Sequence, residues 1–276
     1  NDLSGASVDN DETIQKANIS GYNLFDLQTN LDLDSTFNAK AIFRTRSPFG
    51  TSFGSKTDFE FRLFSMGGSV NGLKYQLGDI RVELTPYTVY NADLAGTGYE
   101  STIFTERREI LEYENFNDGN TWLLQGASGQ YGWDFSNESG LGIYAFTTRL
   151  ASTNELGNPD RLLSGGRLEY ALDKNLKFGL NDVGMYDIQT GSTEYDYTNN
   201  VITGDIAYSK VLGENNININ LEFGGSWFNY TFNPTDTSQS YSDMIIDLDV
   251  DYNLKDVGLD CGLGVRMVGA SFMSPT

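Results

Sequence analysis

From Tyr22 onward the chain alternates between apolar and polar side chains, one residue at a time and in long runs. Phe25, Leu27, Thr29, Leu31 and Leu33 are interleaved with Asp26, Gln28, Asn30 and Asp32. A period of two marks a strand with one face toward water and the other toward something apolar. The pattern recurs. Phe37, Ala39, Ala41 and Phe43 stand against Asn38, Lys40, Arg44 and Arg46; Phe59, Phe61 and Leu63 against Asp58, Glu60 and Arg62. Leu73, Tyr75 and Leu77 alternate with Lys74 and Gln76, and Ile80, Val82 and Leu84 with Arg81 and Glu83. Later runs are Leu168–Leu172, Leu176–Leu180, Ile217–Phe223, Met244–Leu254 and Val257–Val265. Only TERREILEYENF (105–116) is ambiguous, and it reads as strand or loop.

The connections carry a second signal. Asp173–Asn175, Gly213–Asn216 and Lys255–Asp256 read as tight turns, whereas Asp187–Asn199 and Phe232–Tyr241 read as long polar loops. Short turns alternating with long loops describe an up-and-down meander with unequal ends rather than a Greek key. The runs Ile217–Phe232 and Tyr241–Leu254 exceed the ~5–6 residues usual in soluble strands. They suffice for the ~9–11 residues with which a tilted strand crosses a bilayer. The expected fold is all-β, an antiparallel up-and-down transmembrane β-barrel. Residues 1–20 are polar and aperiodic and read as an N-terminal extension or linker, leaving 21–276 as the barrel domain.

The stretches FRTRSPFG (43–50) and GLKYQLGDIRVELTPYTVYN (72–91), with the closing hairpin of Met244–Met267, give the chain its resemblance to a family. It resembles the β-barrel outer-membrane proteins of Gram-negative bacteria, with a Bacteroidota-like and porin-like style. The resemblance implies an outer-membrane location, contact with outer-membrane lipid and passage of small hydrophilic solutes through an open lumen. It also implies a place beside other envelope proteins. Such barrels commonly end in an aromatic residue, whereas this chain ends MSPT, so the natural C-terminal end is expected to be missing. Likewise, a start at Asn1 rather than Met reads as a processed product.

Composition narrows the chemistry. A net charge of −20 leaves no basic surface for nucleic acid. With no His and a single Cys, internal disulfides, Cys/His zinc sites and His-dependent nucleophilic triads are all excluded. Carboxylate pairs of the glycosidase kind remain open, but 38 Asp and Glu give no pair that stands out. DLDVDYN (247–253) opens like a calcium loop, yet its sixth and twelfth positions hold Tyr252 and Gly258, where Gly and an acid are needed. On a strand those acids are also too far apart to share one ion. GLGIYA (140–145) lacks a following helix, so its glycines are strand glycines. Cys261 shares a face with Leu259, Leu263 and Val265 and reads as a small apolar residue. No catalytic residue, cofactor or metal site is expected.

One constellation is a candidate site. Lys40, Arg44, Arg46, Arg62 and Arg81 fall on the polar face of the early strands; Asp243, Asp247, Asp249, Asp251 and Asp260 fall on that of the late ones. Either they set a transverse field across a water-filled lumen, or they pair across the interior and plug it. Tyr195 and Tyr197, in the loop Asp187–Asn199, read as exposed loop tyrosines with glycan or protein contact as the sharper alternative. The function expected is a passive porin-like channel or a barrel subunit of a larger envelope complex. The rival reading is a secreted or surface-exposed soluble β-sandwich that binds carbohydrate or a protein partner.

Overall fold

The computed structural model describes residues 2–3, 19–20, 22–34, 36–48, 57–89, 104, 106, 124–135, 138–151, 160–188, 196–231, 238–255 and 258–275. Strands β1 (Asp2–Leu3) and β2 (Ile19–Ser20) pair with each other alone. The other twelve form one antiparallel sheet. They are β3 (Tyr22–Asp32), β4 (Asn38–Pro48), β5 (Asp58–Val70), β6 (Leu73–Ile80), β7 (Leu124–Asp134) and β8 (Gly140–Ala151), then β9 (Asp160–Ala171), β10 (Leu176–Ile188), β11 (Asp196–Leu212), β12 (Asn215–Thr231), β13 (Gln239–Leu254) and β14 (Leu259–Val268). Each strand lies beside its neighbour in sequence, from β3 to β14 without a crossover. A sandwich would divide these strands between two sheets, and here all twelve share one.

The two ends of the sheet differ as the turn chemistry dictates. At one end the hairpins are short. Asn71 and Gly72 link β5 to β6 with φ values of 50° and 86°, the left-handed pair that a two-residue type I′ turn requires. In the β9–β10 turn, the Asp173 carboxylate accepts the backbone N–H groups of Asn175 and Leu176 at 2.7 and 3.0 Å. At the other end the connections are longer: 49–57, 81–123, 152–159, 189–195 and 232–238. Residues 105 and 107–116 of the ambiguous stretch, and Tyr195, lie outside the described residues.

The sheet is curled, and one hydrogen bond proves it. Thr85 lies five residues beyond the end of β6, a reach of at most ~18 Å. Six strand spacings separate β6 from β12, which in a flat sheet is ~29 Å. Yet the Thr85 hydroxyl sits 2.6 Å from the Glu222 carboxylate on β12. The sheet therefore wraps around residues 81–89 in the architecture of an up-and-down β-barrel. β3 and β14 are its edge strands and are not hydrogen-bonded to each other among the described residues.

Directly paired residues point to the same face, so the register sorts the wall into two surfaces. Phe25, Leu27, Phe59, Phe61, Leu180, Phe223, Met244, Leu263, Val265 and Met267 are large, apolar and exposed on the outside. The exposed Cys261 shares that face. The inside holds the charged side chains and a buried apolar patch.

Three expectations need correcting here. Leu63 does not continue the outward row of Phe59 and Phe61. A β-bulge inserts Arg62 between Phe61, opposite Phe43, and Leu63, opposite Ile42, so the alternation slips by one and Phe64 takes the outward place. Val82 and Leu84 do not belong to a strand. The chain leaves the sheet after Ile80 and turns inward, where both pack against Phe146, Leu163, Val183 and Met185. The polar face is consequently not wet throughout: near the long-loop end Ile80, Phe146, Leu163, Val183, Val201 and Ile245 are inward-facing and buried.

Candidate functional site

The candidate site is the interior of the curl. Cross-strand pairing places Arg266, Asp247, Glu222, Asp205, Gly179 and Glu169 in a single row, one residue from each of β14 to β9. Four of the six are carboxylates. Arg167, one pair along β9, makes five hydrogen bonds: two to Asp205 (2.6 and 2.9 Å), two to Glu169 and one to Asn181 (2.9 Å). Gly179 is what permits this, because a Cβ there would be driven into both the Asp205 carboxylate and the Arg167 guanidinium. The far end of the row is held by Arg266, 2.9 Å from Asp247.

Two segments fold inward from the long-loop end and cover the wall. In 81–89, the Thr85 hydroxyl donates to Glu222 and the Tyr87 hydroxyl donates to Asp247 at 2.5 Å. Pro86 between them and the Thr88 N–H to Thr85 carbonyl bond close a tight turn. In 269–275, the Ser271 N–H donates to Asp243, the Met273 N–H to the Ser226 hydroxyl, and the Met273 carbonyl accepts from Asn199. The segments also touch one another. Ser274 donates to the Thr88 carbonyl at 3.0 Å, and the Phe272 and Tyr87 rings meet edge-on with centroids 6.2 Å apart.

The sequence-derived candidates fall into three groups. Arg44 and Arg62 are buried and share Asp26 of β3. Arg44 binds both carboxylate oxygens, at 2.6 and 2.7 Å, and Arg62 binds one at 3.3 Å. Asp243 and Asp247 anchor the inward segments as described. Lys40, Asp251 and Asp260 are exposed toward the short-turn end, Asp260 accepting from Asn253, while Arg46 and Asp249 are half-buried. Arg81 stands on the inward segment rather than on a strand and borders a cavity of about 390 Å³ with Glu83, Leu84, Gln130, Tyr144 and Arg167.

Tyr197 differs from its expectation. It is half-buried on β11, beneath the Arg161 guanidinium (4.1 Å to the ring centroid) and against Phe228. Arg161 in turn grips Asp187 at 2.7 Å. Of the expected loop Asp187–Asn199, Asp187 and Ile188 at its start and Asp196 to Asn199 at its end are strand, which leaves 189–195 as the connection.

The acids that matter most were missed. Glu222, Asp205 and Glu169 each sit on the polar side of an alternating run, Glu222 directly after Leu221. That phase was the available signal. Their convergence on one row was hidden, since strand register depends on turn lengths that composition does not encode.

No protein-family model matches the chain, and no curated protein matches it. Among solved structures, it is similar to OmpT, an outer membrane protein of Vibrio cholerae, in a form lacking loop L8. That likeness is 12% identical, covers 90% of this chain and 93% of the other, and has a TM-score of 0.34. It is also similar to a triple mutant of the Rhodopseudomonas blastica porin, at 10% identity over 93% of each chain with a TM-score of 0.29.

Proposed function

We propose that this chain is an outer-membrane β-barrel that passes small hydrophilic solutes and ions through its interior, passively and without a cofactor. The observation that carries the reading is the sidedness of the wall. Apolar side chains cover the outside of a curled twelve-stranded sheet, while charges line the inside. In water, such an exterior far exceeds the few hundred Å² of apolar patch that soluble monomers tolerate. In lipid it is the ordinary exterior of a barrel. Strands β4 to β13 are paired on both sides, which satisfies the hydrocarbon's demand that backbone groups find partners within the protein.

The lining supports a preference for cations. Along the row Glu169, Asp205, Glu222 and Asp247, four carboxylates face three cations, Arg167, Arg266 and Lys177. Rings of acids select cations by the field they impose on a narrow lumen. Arg44 and Arg62, on β4 and β5, set two guanidiniums against Asp26 on the early wall, and on this reading the field runs across the lumen from these strands to the late ones.

The test is reconstitution. The folded protein should require detergent, migrate faster unheated than boiled on gels, and give cation-selective reversal potentials in planar bilayers. A detergent-free soluble monomer rejects the membrane reading; anion selectivity, or no conductance from a heat-modifiable barrel, rejects the channel reading.

A further inference from the structure

We propose that segments 81–89 and 269–275 form a two-part gate, latched to the wall by Thr85 on Glu222 and Tyr87 on Asp247. The inference concerns how the interior opens. It rests on the channel reading only for its consequence.

Three observations carry it. First, the apolar patch inside the wall is covered by Val82, Leu84 and Val89 of the first segment, while Phe272 of the second packs on Tyr87. A lumen always filled with water has no use for a dry patch that leaves Leu163 and Val183 fully buried. Second, among the described residues the cover is attached by side chains and single backbone bonds, not by a strand ladder. Within 81–89 the internal backbone bonds are Leu84 N–H to Val89 carbonyl and Thr88 N–H to Thr85 carbonyl. Elements held in this way open at lower cost than paired strands. Third, the covered wall is polar where a permanent core would be apolar. Glu222, Asp247, Ser226 and Asn199 are all buried beneath the two segments. One carboxylate oxygen of Asp247 and the side-chain carbonyl of Asn199 have no hydrogen-bond partner among the described residues. Buried polar atoms are normally paired, and these would be paired by water once the cover lifts.

The segments act together because they are joined: Ser274 holds the Thr88 carbonyl, and Phe272 packs on Tyr87. Release of the two hydroxyl anchors therefore loosens 81–89 and takes its support from 269–275, which keeps its own bonds to Asp243, Ser226 and Asn199.

The gate is tested by accessibility rather than by current alone. Val183→Cys, in a Cys261→Ser background, places a thiol on the covered patch. A membrane-impermeant maleimide is then applied to proteoliposomes. With native Thr85 and Tyr87 the thiol should react slowly. With Thr85→Val and Tyr87→Phe, which keep shape and delete both donors, it should react at least about tenfold faster. Thr85→Ser should restore slow reaction. Equal rates in the native and doubly substituted proteins, or immediate labelling of the native one, overturn the gate. If the double variant yields no heat-modifiable barrel, Tyr87→Phe alone is read: faster labelling supports the gate and an unchanged rate overturns it. Faster labelling with no conductance keeps the gate and rejects the channel reading.

Discussion

Glu222 and Phe223 are consecutive, and they face opposite worlds. The Glu222 carboxylate points inward and accepts the Thr85 hydroxyl at 2.6 Å; the Phe223 ring points outward and is about half exposed. β12 is thus a partition one residue thick, and each side makes its own demand on the sequence.

Phe223 lies at the centre of β12 (Asn215–Thr231), where a spanning strand meets the bilayer midplane. Phe223→Arg should cost about 2–4 kcal/mol of stability in lipid vesicles, the penalty for a cation on the lipid face at that depth. The same change on a water-facing strand costs roughly 0.5 kcal/mol or less. Urea titration of the vesicle-folded protein separates the two, and a change near zero would remove Phe223 from the hydrocarbon.

Arg44, Arg62 and Asp26 form one cluster of two guanidiniums and one carboxylate. Replacing both arginines by Gln removes two positive charges from that group. The reversal potential in a salt gradient should move toward stronger cation preference, with barrel assembly intact. An unmoved potential would mean that the cluster does not face the ion path.

Much of this was legible in advance because alternation is a local property. Phe25 to Asp32, or Met244 to Leu254, announce their two faces without any knowledge of neighbours. Alternation fails where the chain breaks its own period. The Arg62 bulge inserts one residue and reverses the faces of Leu63 and Phe64. Ile80, Val82 and Leu84 keep the period although the last two have left the sheet. A period of two states that a segment has a dry side, and only the curl decides whether that side meets lipid or the interior. The interior row is hidden for a related reason. Glu169, Asp205, Glu222 and Asp247 meet through four successive pairings, each set by the turn beside it.

Asp34, in the short β3–β4 turn, offers a pH signature outside the wall. Its carboxylate accepts the hydroxyl and then the backbone N–H of Thr36, and these two bonds hold its pKa below the ordinary aspartate value. A depressed folded value means that the contribution to stability is present above the unfolded value near 3.8 and is lost as pH falls through the lowered one. Unfolding curves of the native protein and Asp34→Ala should therefore differ at pH 7, begin to converge as pH falls below about 4, and meet only below the lowered value. A gap that persists at acid pH would assign the difference to turn geometry rather than to charge.

The Arg167 network makes the sharpest prediction about the interior, because a glycine on a third strand belongs to it. Arg167 and Asp205 are 19% and 16% exposed at their side chains, so solvent screens them only in part. Arg167→Ala leaves Asp205 without its guanidinium and Glu169 with Lys177 alone as counter-charge. Loss of one partner from a fully buried pair costs about 3–5 kcal/mol, and the residual exposure reduces this to roughly 2–3. Gly179→Ala should produce the same defect without touching a charge. Its backbone needs no left-handed conformation, so the whole effect comes from a methyl group wedged between Asp205 and Arg167. Since both substitutions break one contact, their costs should not add. The double variant should be little worse than the more damaging single one, a coupling that denaturant titrations of the four proteins would read directly. Additive costs would place Gly179 outside the network and leave its small size to the packing of β10 against β11.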